Sequence, residues 1–129
     1  MTASNIATDV RAALATALSG VSANVYSYVP ETVTPPAVAI LYTDPMMELL
    51  LINKSTTKVK LNFVISAAVA YNSNPASLDN LEQLIISILA AIPAGYEIGS
   101  VSRPSVSEVG AAILLVSDIT LSTYYTQTL

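Results

Sequence analysis

Hydrophobic and polar positions alternate most regularly over residues 58–71, KVKLNFVISAAVAY. Every second side chain from Val59 onward is apolar, and the intervening positions begin with Lys58, Lys60 and Asn62. Because side chains on a strand alternate between two faces, this pattern predicts a strand with one continuous apolar face. At about 3.3 Å per residue it would be roughly 45 Å long, so we expect it to extend beyond the core of its own domain.

A second long strand is predicted near the end of the chain, over residues 112–124. Its positions alternate in the same way, with Ile113, Leu115, Ile119 and Leu121 on one face and Asp118, Thr120 and Ser122 on the other. The matching length and alternation predict that the two long strands are antiparallel neighbours in one sheet. We expect Asp118, which lies on the polar face, to be solvated.

Two segments show the spacing of a helix that packs on one side. In residues 4–19 the apolar positions recur every four residues, with Ser4 as the predicted N-cap and Gly20 as the residue after the helix. In residues 75–92 they step by three and four, at Leu78, Leu81, Ile85, Ile88 and Ile92. Asn74 and Pro75 are a predicted N-cap and first helical residue, and Pro93 and Gly95 are predicted to stop the helix.

The remaining segments read as shorter strands and connectors. Residues 21–29 predict a short strand, and the proline-rich residues 30–36 predict an extended connector. Residues 37–42 predict a strand buried on both faces and ended by residues 43–45, TDP, whereas residues 96–109 predict a weak strand region broken by a proline.

Residues 46–57, MMELLLINKSTT, consist of an apolar half followed by a polar half and allow more than one interpretation. In the first, a strand enters a long hairpin whose turn lies near residues 53–55. In the second, a projecting arm or loop docks on a neighbouring subunit, since an exposed run at residues 49–52 would promote aggregation of a lone monomer. An ordinary core strand is the third.

The order of the elements is helix, strands, helix, strands. We therefore expect one domain over residues 1–129 with an α+β fold, in which two helices pack on one face of a mixed, mostly antiparallel sheet that carries a long β-hairpin.

Composition adds an indication of assembly. Charged residues make up only 11% of the chain, against about 25% in a typical soluble domain. This shortage indicates that other subunits cover part of the surface, although a high content of alanine also raises the hydrophobic fraction. The candidate contact residues are Leu49, Leu50, Leu51, Ile52, Lys54, Lys58 and Lys60. For the lysines, the alternative is a solvated hairpin whose charges discourage wrong edge pairing.

The residue inventory argues against catalysis. The chain has no cysteine and no histidine, and it contains no phosphate-binding loop, nucleophile elbow or HExxH motif. With a net charge of −4, it offers no basic field for gripping nucleic acid. Its longest apolar run, residues 110–116, is far shorter than the about 20 residues of a membrane span. We expect no enzymatic activity, no cofactor, no metal and no membrane partner.

Residues 25–40, VYSYVPETVTPPAVAI, carry a family resemblance. They resemble the "aYvPdtvtpPaavv" signature that follows the first helix in small neck proteins of long-tailed actinobacteriophages, which are described as tail terminators or head-to-tail connectors. The acidic residue and proline at positions 44 and 45 also fit, whereas residues 46–52 are more apolar than the family's pattern.

The resemblance implies the fold of lambda's tail terminator and a hexameric ring. Such a ring caps the tail tube, offers its other face to the head-completion or stopper protein, and lets DNA pass through its channel without specific binding. It implies a structural virion protein of the tail and neck, assembled in the cytoplasm of the host bacterium. A head-tail stopper or a tail-tube subunit of the same phage class is the alternative, and a small-molecule-binding or enzymatic domain is a third.

Overall fold

The protein is described by a computed structural model, which covers residues 6–21, 23–26, 34–52, 55–71, 75–109 and 112–128. The first helix consists of a π-helical segment Ala7–Ala12, the α-helix α1 (Ala13–Ala17) and a 3₁₀ turn Leu18–Gly20. The elements that follow are β1 (Asn24–Tyr26), β2 (Ala37–Ile52), β3 (Thr56–Ala70), α2 (Pro75–Ala91), β4 (Glu97–Val101), β5 (Ser105–Val109) and β6 (Ala112–Thr128). The described residues thus form an α+β fold with a long β2–β3 hairpin.

The six strands form one mixed sheet in the order β1-β2-β3-β6-β4, and β5 also pairs with β6. The β1–β2 pair is parallel, and all the other pairs are antiparallel. The prediction that the two longest alternating segments are antiparallel neighbours is confirmed, because Ile65 pairs with Ile119 and Phe63 with Leu121 at the centre of the β3–β6 ladder. The two long strands therefore form the spine of the domain.

Both helices pack on one face of this sheet, which we call the helix face. It carries the alternating side chains of β3, from Val59 to Val69, which are all buried. They share one core with the first helix and α2, whose buried members are Val10, Leu14, Leu18, Leu81, Leu84 and Ile88. Phe63 has no exposed surface, and its ring stacks on Tyr42 with the ring centres 4.8 Å apart. We call the opposite side of the sheet the far face.

The predicted stripe of α2 is partly wrong. Leu78 is 45% exposed, and the buried positions are Ser77, Leu81, Leu84 and Ile88. This row also follows helical spacing, and it places the small Ser77 against the sheet where the prediction had placed a leucine. As predicted, the helix begins at Pro75, and it ends shortly before Gly95, which has a φ of 94°.

Other predictions about the ends of helices and strands had different outcomes. Gly20 was predicted as the residue after the first helix, whereas the helix ends in a 3₁₀ turn that contains Gly20 itself, and Gly20 does not have a positive φ. Ile113, predicted to face the core, is 50% exposed, because it lies beyond the opposite end of β3 and is no longer covered. The predicted N-caps Ser4 and Asn74 lie outside the described residues.

The prediction that residues 43–45 end the second strand is wrong, because β2 continues to Ile52. Tyr42 pairs with Phe63 and Met47 with Leu61, so the four residues 43–46 of β2 lie opposite the single Asn62 of β3. The Asn62 side-chain amide donates hydrogen bonds to the Pro45 carbonyl (3.0 Å) and to Glu48 Oε2 (3.1 Å). These hydrogen bonds hold a bulge in β2. The strand therefore continues beyond residues 43–45, whose sequence is typical of a strand end.

Candidate interaction surface

Of the six described strands, three extend beyond the level of Asn62, and the other three do not. The three extensions are residues 47–52 of β2, 56–61 of β3 and 123–128 of β6, and we call them the arm. At about 3.4 Å per residue the arm is roughly 17 Å long. The β4 strand begins at Glu97, opposite Ser122, and Ser122 pairs with Asn62, so the bulge of β2 and the start of β4 lie at the same level.

The arm exposes the apolar run that the sequence singled out. The exposed fractions are 68% for Leu49, 49% for Leu50, 46% for Leu51 and 63% for Ile52. The strand interpretation of residues 46–57 is thus confirmed, and the ordinary core strand is wrong. Exposed apolar side chains that follow one another along a strand are typical of an interaction surface.

The register explains why four consecutive apolar residues can all be exposed. Directly opposed residues of neighbouring strands share a face, so Leu49, opposite Val59, lies on the helix face, and Leu51, opposite Lys58, lies on the far face. Leu50 falls at a second register shift and has no opposite residue in β3. The run therefore supplies apolar surface to both faces of the arm and to its border.

The two borders of the sheet body are occupied or interrupted below the arm. On one side β1 pairs with Ala37, Val38 and Ala39 of β2, and the bulge follows. On the other side β4 and β5 lie end to end along β6, and Ser102 between them is held by hydrogen bonds to the Asp118 backbone (2.8 and 2.9 Å). Such bulges and breaks discourage pairing with another strand.

Along the arm itself the described strands leave both borders without a neighbouring strand. No described strand pairs with residues 47–52 of β2 on the side away from β3, or with residues 124–128 of β6 on its side away from β3. A sheet border of this kind is a template for the addition of another strand. The arm thus combines exposed apolar side chains with two borders that no described strand covers, and the β2 border contains a register shift at Leu50.

The three predicted lysines have different surroundings. Lys60 Nζ lies 3.7 Å from Glu97 Oε2 in an ion pair whose side chains are 29% and 60% exposed, so it contributes little to stability. Lys58 Nζ lies 5.7 Å from the centre of the Tyr124 ring, which places its charge toward the β6 border. Lys54 lies outside the described residues. The structure thus brings Lys58 to the arm's surface and ties Lys60 to the sheet body.

Sequence reasoning missed the β6 side of the arm. The predicted strand ended at residue 124, whereas β6 continues to Thr128 and pairs with β3 along the whole hairpin. Tyr124 is 48% exposed and Thr126 is exposed, both on the far face. The signal was available in the length of the first strand, because a hairpin extending beyond the core needs a third strand beside it for stability.

Two shallow depressions lie elsewhere on the described surface. One of about 380 Å³ lies between Pro36, the end of β3 and α2, and one of about 350 Å³ lies beside the 43–46 bulge. The second contains Asp44, Lys60 and Glu97, but these residues bracket an open groove without a nucleophile and base in contact. Neither depression has the arrangement of an active site.

Among the described residues, two tyrosines beside the core, Tyr42 and Tyr96, have shifted pKa values. Burial raises the pKa of Tyr96, whose hydroxyl lies 3.5 Å from the Val10 carbonyl that it donates to. Burial also raises the pKa of Tyr42, and the nearby positive charge of Arg11 partly offsets this shift. Both values move away from the range used in acid–base chemistry at neutral pH.

Within the described residues, no three acidic side chains lie close enough together to hold a metal ion. In the same part of the chain, none of the helices combines the length and the apolar character needed to span a bilayer. No protein-family model matches this chain, and no curated protein sequence matches it.

Proposed function

We propose that this chain is a structural virion protein of a long-tailed phage, a tail terminator. Copies of it form a ring that caps the tail tube and joins it to the head-tail connector, and DNA passes through the channel. The observation that carries the proposal is the arm, with its exposed residues 49–52 and its two borders suited to pairing. The resemblance of residues 25–40 to the phage neck signature supplies the biological setting.

Burial of the arm's apolar side chains contributes to assembly but is not sufficient for it. Complete burial of a leucine or isoleucine side chain contributes about 1.5–3 kcal/mol. Four side chains that are 46–68% exposed would therefore gain roughly 3–6 kcal/mol on being covered. Association costs about 4–15 kcal/mol in lost freedom, so apolar burial alone does not hold two copies together. A ring adds backbone pairing and gives each copy two contacts.

The charge of the chain suits the passage of DNA. A net charge of −4 with only five basic residues provides few partners for phosphates. Nucleic acid can therefore move through a channel made of this protein without being retained. In this proposal the partners are other copies of the chain in a hexamer, the tail-tube protein and the head-completion or stopper protein. The site of action is the virion, after assembly in the bacterial cytoplasm, and no substrate is turned over.

The experiment is electron microscopy and light scattering of the purified protein, alone and mixed with tail tubes of the phage. We expect rings in solution or on the tube ends, and no further growth of capped tubes. A protein that stays monomeric in the presence of tubes would overturn the proposal. Long tubes formed by the purified protein would identify a tube subunit instead, and binding to the head connector but not to tubes would identify a stopper.

A further inference from the structure

The two borders of the arm lie at the same height along the strands. Lys58 of β3 pairs with Leu51 on one side and with Thr126 on the other, and Lys60 pairs with Glu48 and with Tyr124. Thus each residue of the β2 border except Leu50, which lies at the register shift, has a counterpart at its own level on the β6 border. The arm has the form of a three-stranded ribbon with matched sides.

The two borders also run in the same direction. Both β2 and β6 are antiparallel to β3, so they are parallel to each other. When copies are related by rotation about an axis along the strands, the β2 border of one copy meets the β6 border of the next in parallel orientation. Because the borders are level, this contact needs no step along the axis, and repeated contacts close into a ring instead of an open helix.

Charge on the far face fits this contact. Glu48 is exposed on the β2 border, and the Lys58 ammonium leans over Tyr124 toward the β6 border. Glu48 and Tyr124 both pair with Lys60, so in a level contact Glu48 of one copy comes beside Tyr124 and Lys58 of the next. Lys60 has its carboxylate partner in Glu97, and no such ion pair involves Lys58 among the described residues. One negative charge thus lies on the β2 border, and one positive charge, from β3, lies near the β6 border.

We infer that the seam between neighbouring copies is a parallel strand pair, formed by residues 47–52 of one copy and residues 124–128 of the next. This deepens the proposed function and rests on it, because it assumes that the copies form a ring. Each copy then contributes three strands to a continuous cylinder of arms. A two-fold pairing of β2 with β2 would cover only one border of each arm and leave the other uncovered.

The absence of native cysteine makes the seam directly testable by disulfide cross-linking. Leu51 and Thr126 lie at one level on the far face, and within one chain they are separated by two strand spacings, about 10 Å. A disulfide needs Cβ atoms within about 4.5 Å, so a bond between Cys residues at these positions must join different chains. The variant is the double substitution Leu51→Cys and Thr126→Cys.

After mild oxidation, we expect a ladder of covalent oligomers from the double variant and monomers from each single variant. The control pairs Leu51→Cys with Ser105→Cys, which is exposed on the interrupted β5 border, and we expect no ladder. Dimers from Leu51→Cys alone would indicate β2–β2 pairing and overturn the seam, as would an equal ladder from the control. Monomers from every variant would overturn the seam.

Microscopy of the reduced double variant with tail tubes separates this inference from the proposed function. Rings that cap tubes but do not cross-link would overturn the seam and leave the terminator proposal standing. Cross-linked rings that do not bind the tubes would support the seam and count against the proposed function as a tail terminator.

Discussion

Replacing Leu49 by aspartate tests whether the arm serves assembly more than folding. Leu49 is 68% exposed, so the folded monomer uses only about one third of its side chain. Ile86 on α2 is 65% exposed and lies away from the arm, which makes Ile86→Asp a control of matched chemistry and matched exposure.

The expected magnitudes follow from the exposure. Of about 1.5–3 kcal/mol for a fully buried leucine, the monomer retains roughly 0.5–1 kcal/mol, and this bounds the apolar contribution lost from folding. In the Leu49→Asp variant, a subunit contact that covers the exposed part of this side chain loses roughly 1–2 kcal/mol of apolar burial. The contact must also desolvate the new carboxylate, which costs several kcal/mol more. Since 1.4 kcal/mol is a factor of ten, the dissociation constant of each contact should rise by at least about tenfold.

Two measurements separate these effects. Sedimentation velocity over a dilution series gives the assembly, and urea denaturation at a concentration where the wild-type protein is dissociated gives the stability of the monomer. We expect Leu49→Asp to shift assembly strongly and monomer stability by less than about 1 kcal/mol. Comparable losses in both, or an equal assembly defect in Ile86→Asp, would refute the assignment of the arm to subunit contact.

Three further predictions concern the sheet. Phe63→Ala, which removes a fully buried ring, should lower the free energy of unfolding by about 3–5 kcal/mol in urea denaturation, and a loss below about 1 kcal/mol would contradict its central position in the core. An alanine Cβ at Gly99 would lie 2.6 Å from a threonine hydroxyl of β6, so Gly99→Ala should cost about 1–3 kcal/mol. Gly20→Ala, with nothing within 4 Å, should change stability by less than about 0.5 kcal/mol, and equal thermal shifts in the two variants would count against this reading. Burial raises the pKa of Tyr96 above 10.0, so the unfolded chain ionises first and stability falls as pH rises through that window. Tyr96→Phe should reduce this alkaline loss in urea titrations, and an unchanged slope in the variant would be inconsistent with burial of Tyr96 as the cause.

The pairing of β3 with β6 could be predicted from the sequence because each strand buries one face. A register slip of one residue would turn every apolar side chain of such a strand to the wrong side. The alternation from Val59 to Val69 therefore fixes both the face and the partner. The positions of Pro75 and Pro93 fix the extent of α2 for an equally local reason, since proline tolerates a helix start and ends a helix that precedes it.

The course of β2 could not be predicted in this way. Its side chains on the helix face are even-numbered up to Tyr42, odd-numbered at Met47 and Leu49, and even-numbered again at Ile52. The alternation of faces cannot be recognised in a strand that contains two register shifts. Asp44-Pro45 therefore suggested a strand end, and the sequence did not show which face each leucine occupies. The cause lies in Asn62, on another strand, whose side chain holds the bulge.

The candidate surface was predictable in part. The composition of residues 49–52 made them candidates for an uncovered surface, although an ordinary core strand fitted the same run. The β6 border could not be predicted. Tyrosine and threonine side chains such as those of Tyr124 and Thr126 occur equally at the margin of a core, on a solvated face and in a subunit contact. Their position became apparent only from the level pairing across β3.

The 43–46 bulge also determines which length changes this protein can accept. Four residues lie opposite one there, so loss of three would leave a ladder without a bulge in which Met47 still pairs with Leu61 and lies on the helix face. Loss of one or two would shorten the bulge, and Met47 and Leu49 keep their faces wherever their pairing with β3 is kept. Natural variants are therefore expected to differ in length within this segment by up to three residues without a change in the surfaces of the arm.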